Sequence, residues 1–128
     1  MDAIDLHVHS TFSDGTLTPS ELISRAKQFH LAAMALTDHD TIEGIPEAVQ
    51  AASEQNLELV PGVELSTFWD EKEIHIVGLF IDYTDKTFQK ELESLRDVRR
   101  NRNIAMCEIF TQLGIPIELS GYGVFYNV

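Results

Sequence analysis

The sequence predicts an α/β fold built on a mainly parallel sheet, and three observations carry that expectation. Short apolar runs of strand length alternate with segments of helical periodicity along the 128 residues. The helical segments open on capping or chain-breaking residues. Side chains able to ligate metals gather at the ends of the apolar runs, where such sheets present their functional groups.

Residues 4–9 read as the first strand, which places His7 and His9 on one face because strand side chains repeat every two residues. A turn rich in Ser, Asp and Gly follows and carries Asp14. Two imidazoles on one face with a nearby carboxylate can hold a divalent cation; two solvent-facing histidines on an edge strand are the plainer alternative. Thr18-Pro19-Ser20-Glu21 then opens a helix, with Thr18 as cap, Pro19 at the first position and Glu21 completing a capping box. Leu22, Ala26 and Phe29 continue it at helical spacing. Residues 32–36 read as a buried strand, followed by Thr37-Asp38-His39-Asp40.

Gly44-Ile45-Pro46 breaks the chain and starts a second helix, with Ala48, Val49 and Ala52 facing inward. Residues 57–60 and 74–81 are further strands, apolar on both faces as central parallel strands tend to be. Pro61-Gly62-Val63-Glu64 follows the first of these, which puts Glu64 past a strand end, and His75 lies near the start of the second. A last helix is expected over 85–113, with one apolar stripe at Phe88, Leu92 and Leu95 and another at Met106, Phe110 and Leu113. Gly114 is a suitable stop.

With 44% hydrophobic and 23% charged residues, the composition is that of a soluble globular domain. No stretch reaches the length of a membrane span, and the N-terminus lacks a basic, apolar signal region. One cysteine, Cys107, excludes an intrachain disulfide, points to a reducing, cytoplasmic setting, and reads as a small core residue. The net charge of −12 would repel nucleic-acid backbones over most of the surface. Bound divalent cations would invert that charge locally, as phosphate chemistry requires. Arg96, Arg99, Arg100 and Arg102 crowd one segment, either as a solvated helix face or as a phosphate-binding group.

Taken together, Asp5-Leu6-His7-Val8-His9-Ser10, Ser13-Asp14-Gly15, Thr37-Asp38-His39-Asp40, Pro61-Gly62-Val63-Glu64 and Glu73-Ile74-His75-Ile76-Val77-Gly78 resemble the PHP (polymerase and histidinol phosphatase) superfamily of metal-dependent phosphoesterases. Their order and the Arg99–Asn103 region are most similar to the branch containing nucleoside 3′,5′-bisphosphate phosphatases. The resemblance implies the N-terminal part of a distorted (β/α)7 barrel over residues 1–116, with 117–128 as a divergent tail. It implies two or three divalent ions, manganese, iron or zinc: His7 and His9 on one, Glu64 bridging to a second shared with His75, and Asp14 and His39 serving a third. Asp40 would orient His39 or contact a metal-bound water, and Arg99 would meet phosphate.

The implied reaction is hydrolysis of a small phosphomonoester, nucleotide-derived or at most a short oligonucleotide, by a metal-activated water. Histidinol phosphate is an alternative substrate, and a non-catalytic metal-binding or assembly module an alternative role. An eight-fold α/β barrel needs about 250 residues and a seven-fold one not many fewer, so the sequence reads as truncated. An unclosed barrel exposes an edge strand and an apolar face, from which self-association is expected.

Overall fold

A computed structural model describes residues 3–115 and places in them four strands and three helices. Strand β1 (Ala3–Val8) leads to helix α1 (Pro19–Gln28), β2 (Leu31–Leu36), α2 (Ile45–Gln55), β3 (Glu58–Trp69), β4 (Lys72–Leu79) and α3 (Lys86–Gln112). The sheet order is β1-β2-β3-β4, with β1, β2 and the first part of β3 parallel. The expected tail at 117–128 lies outside the described residues.

Helix α1 starts as its sequence requires. The Thr18 hydroxyl accepts from the Glu21 amide, and the Thr18 amide donates to Glu21 Oε2 at 2.8 Å, so two amides without helical partners are satisfied. Helix α2 ends on Asn56 in the left-handed region (φ 51), a role asparagine tolerates. The inward faces of both helices cover the sheet. One buried cluster joins Ile23, Ala26, Met34, Ala51, Ala52 and Leu57, and a second joins Leu36, Ile42, Ile45, Ala48, Val63 and Leu92. The core position of α1 is thus Ile23 together with Ala26, while Phe29 caps the helix in solvent under the Arg25 guanidinium.

Two expectations about the strands are corrected. Strand β3 does not stop near Val60: it runs on to Trp69, so Glu64 sits in mid-strand. It changes partner on the way, pairing with β2 up to Pro61 and with β4 from Gly62 onward. Proline has no amide to continue the first ladder, and glycine fits the crossing point because a Cβ there would lie 2.8 Å from the Thr37 methyl. Strand β4, expected as a central parallel strand, is the antiparallel partner of β3 and is largely exposed. The reversal uses Asp70 and Glu71, both with positive φ, a conformation usually signalled by Asn-Gly or Asp-Gly. The apolar composition of β4 therefore did not mean burial on both faces.

Helix α3 is capped by Asp85, whose side chain accepts from the Phe88 amide at 2.8 Å. Phe88 and Leu92 reach the second cluster, but Leu95 and the whole Met106, Phe110, Leu113 stripe are exposed among the described residues. Cys107 is half-buried rather than a core residue. Gly114 closes the helix with φ 81, as expected of a glycine stop.

Candidate metal centre

The site forms where four chain segments meet: the end of β1, the segment after β2, the middle of β3 and the facing part of β4. Backbone bonds stitch them together: the Asp40 amide donates to the Glu64 carbonyl at 2.9 Å, and the Glu64 amide to the Asp38 carbonyl at 3.2 Å. This short bridge continues the parallel pairing past the end of β2 and sets His39 beside Glu64. The Thr37 amide and hydroxyl both donate to the Val8 carbonyl, which fixes the end of β1 against the same segment.

Asp38 organises the loop after β1. Buried at 2% exposure, its carboxylate accepts from the Ser10 amide at 2.6 Å, the Ser10 hydroxyl at 2.7 Å and the Ser13 hydroxyl at 2.6 Å. Gly15 lets the loop close, because a Cβ there would fall 2.2 Å from the His9 carbonyl oxygen. The closed loop turns Asp14 back to His9, Oδ1 to Nδ1 at 3.3 Å.

Glu64 is the hub. Its Oε2 lies 2.7 Å from His7 Nε2, 3.0 Å from His9 Nε2 and 3.7 Å from His39 Nε2, and its Oε1 lies 2.9 Å from His75 Nδ1. Neighbouring rings are 4.6–5.1 Å apart, centroid to centroid. His39 Nε2 also faces Asp14 Oδ2 at 3.6 Å, and His75 Nε2 faces Glu73 Oε1 at 3.3 Å.

Burial would raise the Glu64 carboxyl, but the bonds from His7 and His75 and the nearby His39 outweigh it and hold the group below the usual carboxylate range. Burial dominates at His39 and pushes its imidazole down, toward the neutral form that a metal ligand needs. At His75 burial also pulls downward, yet the bonds to Glu64 and Glu73 prevail and the imidazole is raised.

Three sets of ligand atoms each lie within 4.8 Å of one another: His7, His9 and Glu64; His9, Asp14 and His39; His39, Glu64 and His75. All six ligand-type residues singled out in the sequence therefore converge, and His9, His39 and Glu64 each belong to two sets. Mixed imidazole and carboxylate donors of this kind suit divalent cations. Three imidazole nitrogens crowd the single oxygen Oε2 of Glu64, at 2.7, 3.0 and 3.7 Å, more than its two lone pairs can serve, so the donor set fits divalent cations better than a structural ion pair. The buried His39 Nδ1 has no hydrogen-bond partner among the described residues, and the Asp40 carboxylate is turned elsewhere. Asp40 Oδ1 accepts from the Ser66 amide at 2.9 Å, and its Oδ2 pairs with Arg99 Nη2 of α3 at 2.6 Å.

Sequence reasoning missed Asp38 and Glu73 as parts of the site. The signal for Asp38 was its place between a strand end and His39; that for Glu73 was the two-residue spacing to His75 on one strand face.

The family model for the PHP domain matches residues 5–110. The chain is 45% identical over 117 residues to a 5′-3′ exoribonuclease of Haemophilus influenzae, covering 91% of this chain and 43% of that protein. It is 41% identical over 121 residues to a 3′,5′-nucleoside bisphosphate phosphatase of Chromobacterium violaceum, covering 94% and 40%. Among solved structures, an amidohydrolase from Chromobacterium violaceum with bound sulfate superposes with a TM-score of 0.81 at 42% identity, over 89% of this chain and 40% of that one. The chain thus spans about two-fifths of the length of the relatives it matches.

Proposed function

The chain belongs to the PHP domain family, and from that premise we propose that it carries the metal centre of a hydrolase for small, nucleotide-derived phosphomonoesters. The observation that carries this reading is the convergence of His7, His9, His39 and His75 on the Glu64 carboxylate, with Asp14 alongside. The similarity to a bisphosphate phosphatase and to an exoribonuclease supports a phosphate ester attached to a nucleoside. The net charge of −12 favours a small substrate, at most a short oligonucleotide, over a long polyanion.

Bound divalent ions would supply a water activated near neutral pH and counter-charge for the phosphoryl oxygens. The residues of the chain would do the rest. His7, His9 and Glu64 would hold one ion, His39, Glu64 and His75 a second, and His9, Asp14 and His39 a third. Glu64, shared between two sets and held ionised, would fix the spacing of two of them. Asp38 keeps the His9–Asp14 loop closed. The Asp40–Arg99 pair supports a positioning role, tying α3 to the segment that carries His39 and to Ser66 beside Glu64.

Phosphate release from adenosine 3′,5′-bisphosphate, measured with and without manganese, tests the reading. Release that depends on the metal and falls at least about 100-fold in His9→Ala is expected, since loss of a shared ligand disables two positions. Release indifferent to manganese or to the substitution would overturn it. Metal content of both proteins, measured in parallel, separates loss of binding from loss of turnover.

A further inference from the structure

The metal-ligand face of the β3–β4 hairpin continues outward to an exposed aromatic ring. In the antiparallel ladder Ser66 lies opposite His75, and Phe68 lies opposite Glu73. Residues directly opposite share a face, as do alternate residues along one strand. Glu64, Ser66 and Phe68 therefore point to one side with His75 and Glu73. The contacts agree: Glu64 Oε1 meets His75 Nδ1 at 2.9 Å, and His75 Nε2 meets Glu73 Oε1 at 3.3 Å. Phe68 stands two residues beyond the Ser66–His75 pair, about 7 Å along the strand. It is 65% exposed.

We propose that Phe68 is the platform on which the base of a nucleotide substrate stacks while its phosphate lies at the metal ligands. This rests on the phosphoesterase reading and adds to it the part of the substrate that is not phosphate. A ring so exposed on a strand contributes little to the core, yet its π-face is open without rearrangement, and every nucleobase can stack on it. The adjoining Glu73 decides which end of a nucleotide fits there. Its carboxylate, half-exposed, would repel a second phosphate but can accept from the exocyclic amino group of adenine, guanine or cytosine. The order along the face is then cationic centre for phosphate, a gap of sugar length, and ring with acceptor for the base.

Trp69, the one tryptophan of the chain, follows Phe68 directly and points to the opposite face of the hairpin. Its emission can report binding at the hairpin without turnover. The full chain, titrated with adenosine 3′,5′-bisphosphate, is expected to show a saturable change in Trp69 emission, whereas ribose 5-phosphate gives none of similar affinity. Phe68→Ala should weaken nucleotide binding about ten-fold and Phe68→Tyr should leave it within about two-fold, since stacking needs only the ring. Because the side chain is exposed, both variants should fold, which far-UV circular dichroism checks. In manganese assays Phe68→Ala should raise KM for the nucleotide about ten-fold at little cost in kcat and leave KM for ribose 5-phosphate unchanged.

Equal nucleotide binding by the parent and Phe68→Ala would overturn the platform, even where manganese-dependent hydrolysis persists. Absence of nucleotide binding in the parent would overturn it too. Nucleotide binding that depends on Phe68 in a chain that binds no metal would uphold the platform and remove the hydrolase.

Discussion

Glu64 and Asp38 show how a single carboxylate can set the local chemistry. Each is nearly buried, and each is surrounded by donors rather than left to desolvation alone. Their tasks differ. Glu64 gathers imidazoles around a space for cations, whereas Asp38 bonds hydroxyls and an amide and so shapes a loop. Asp38→Asn would turn an amide N–H₂ toward donors that need an acceptor. We expect a loss of about 2–4 kcal/mol of stability, read as a lower urea midpoint, with weaker metal binding as a consequence of the loosened Asp14 loop. An unchanged midpoint would remove Asp38 from this role. The residue types at both positions were legible in the sequence. Their separate tasks were not, because a carboxylate is defined by what surrounds it, and Ser10 and Ser13 reach Asp38 from 28 and 25 residues away.

Among the elements, α1 was the most legible and the β3–β4 hairpin the least. The Thr18/Glu21 capping box is a local contract between residues three apart, and it formed as written. Thr18→Ala should cost about 1 kcal/mol, visible as a drop in thermal midpoint, while Thr18→Ser should restore most of it. The bonds from Thr18 hold the exposed Glu21 carboxylate below its usual range, so the ionised form is favoured by folding. Its contribution is present above the unfolded-state value and fades as pH falls through the lowered folded one. Acid titration of Glu21→Gln should lack that component. The hairpin, by contrast, reverses on Asp70 and Glu71, residues that do not advertise positive φ. Its outer strand is apolar in composition and exposed in position, so periodicity alone could not tell an edge from a centre.

At the scale of the whole molecule, the described residues form an open sheet with β1 and β4 at its edges. Ile74, Ile76 and Val77 of β4, Met106, Ile109 and Phe110 of α3 and Leu113 just past its end are exposed apolar residues, and exposed apolar side chains beside an open sheet edge favour association. We expect light scattering behind gel filtration to give a mass above the 14.4 kDa of one chain at micromolar concentration. A stable monomer on dilution would show that this surface is tolerated in water. The sequence by itself determined the alternation of strands and helices, the helix caps, and the ligand types with their approximate places, because these depend on neighbours a few residues apart. Tertiary structure alone decided that β3 changes partner at Pro61 and Gly62, that β4 runs antiparallel at the edge, and that Asp40 faces Arg99. Those outcomes follow from pairing between distant segments, where hydrogen-bond geometry and close packing, rather than local propensity, select the partner.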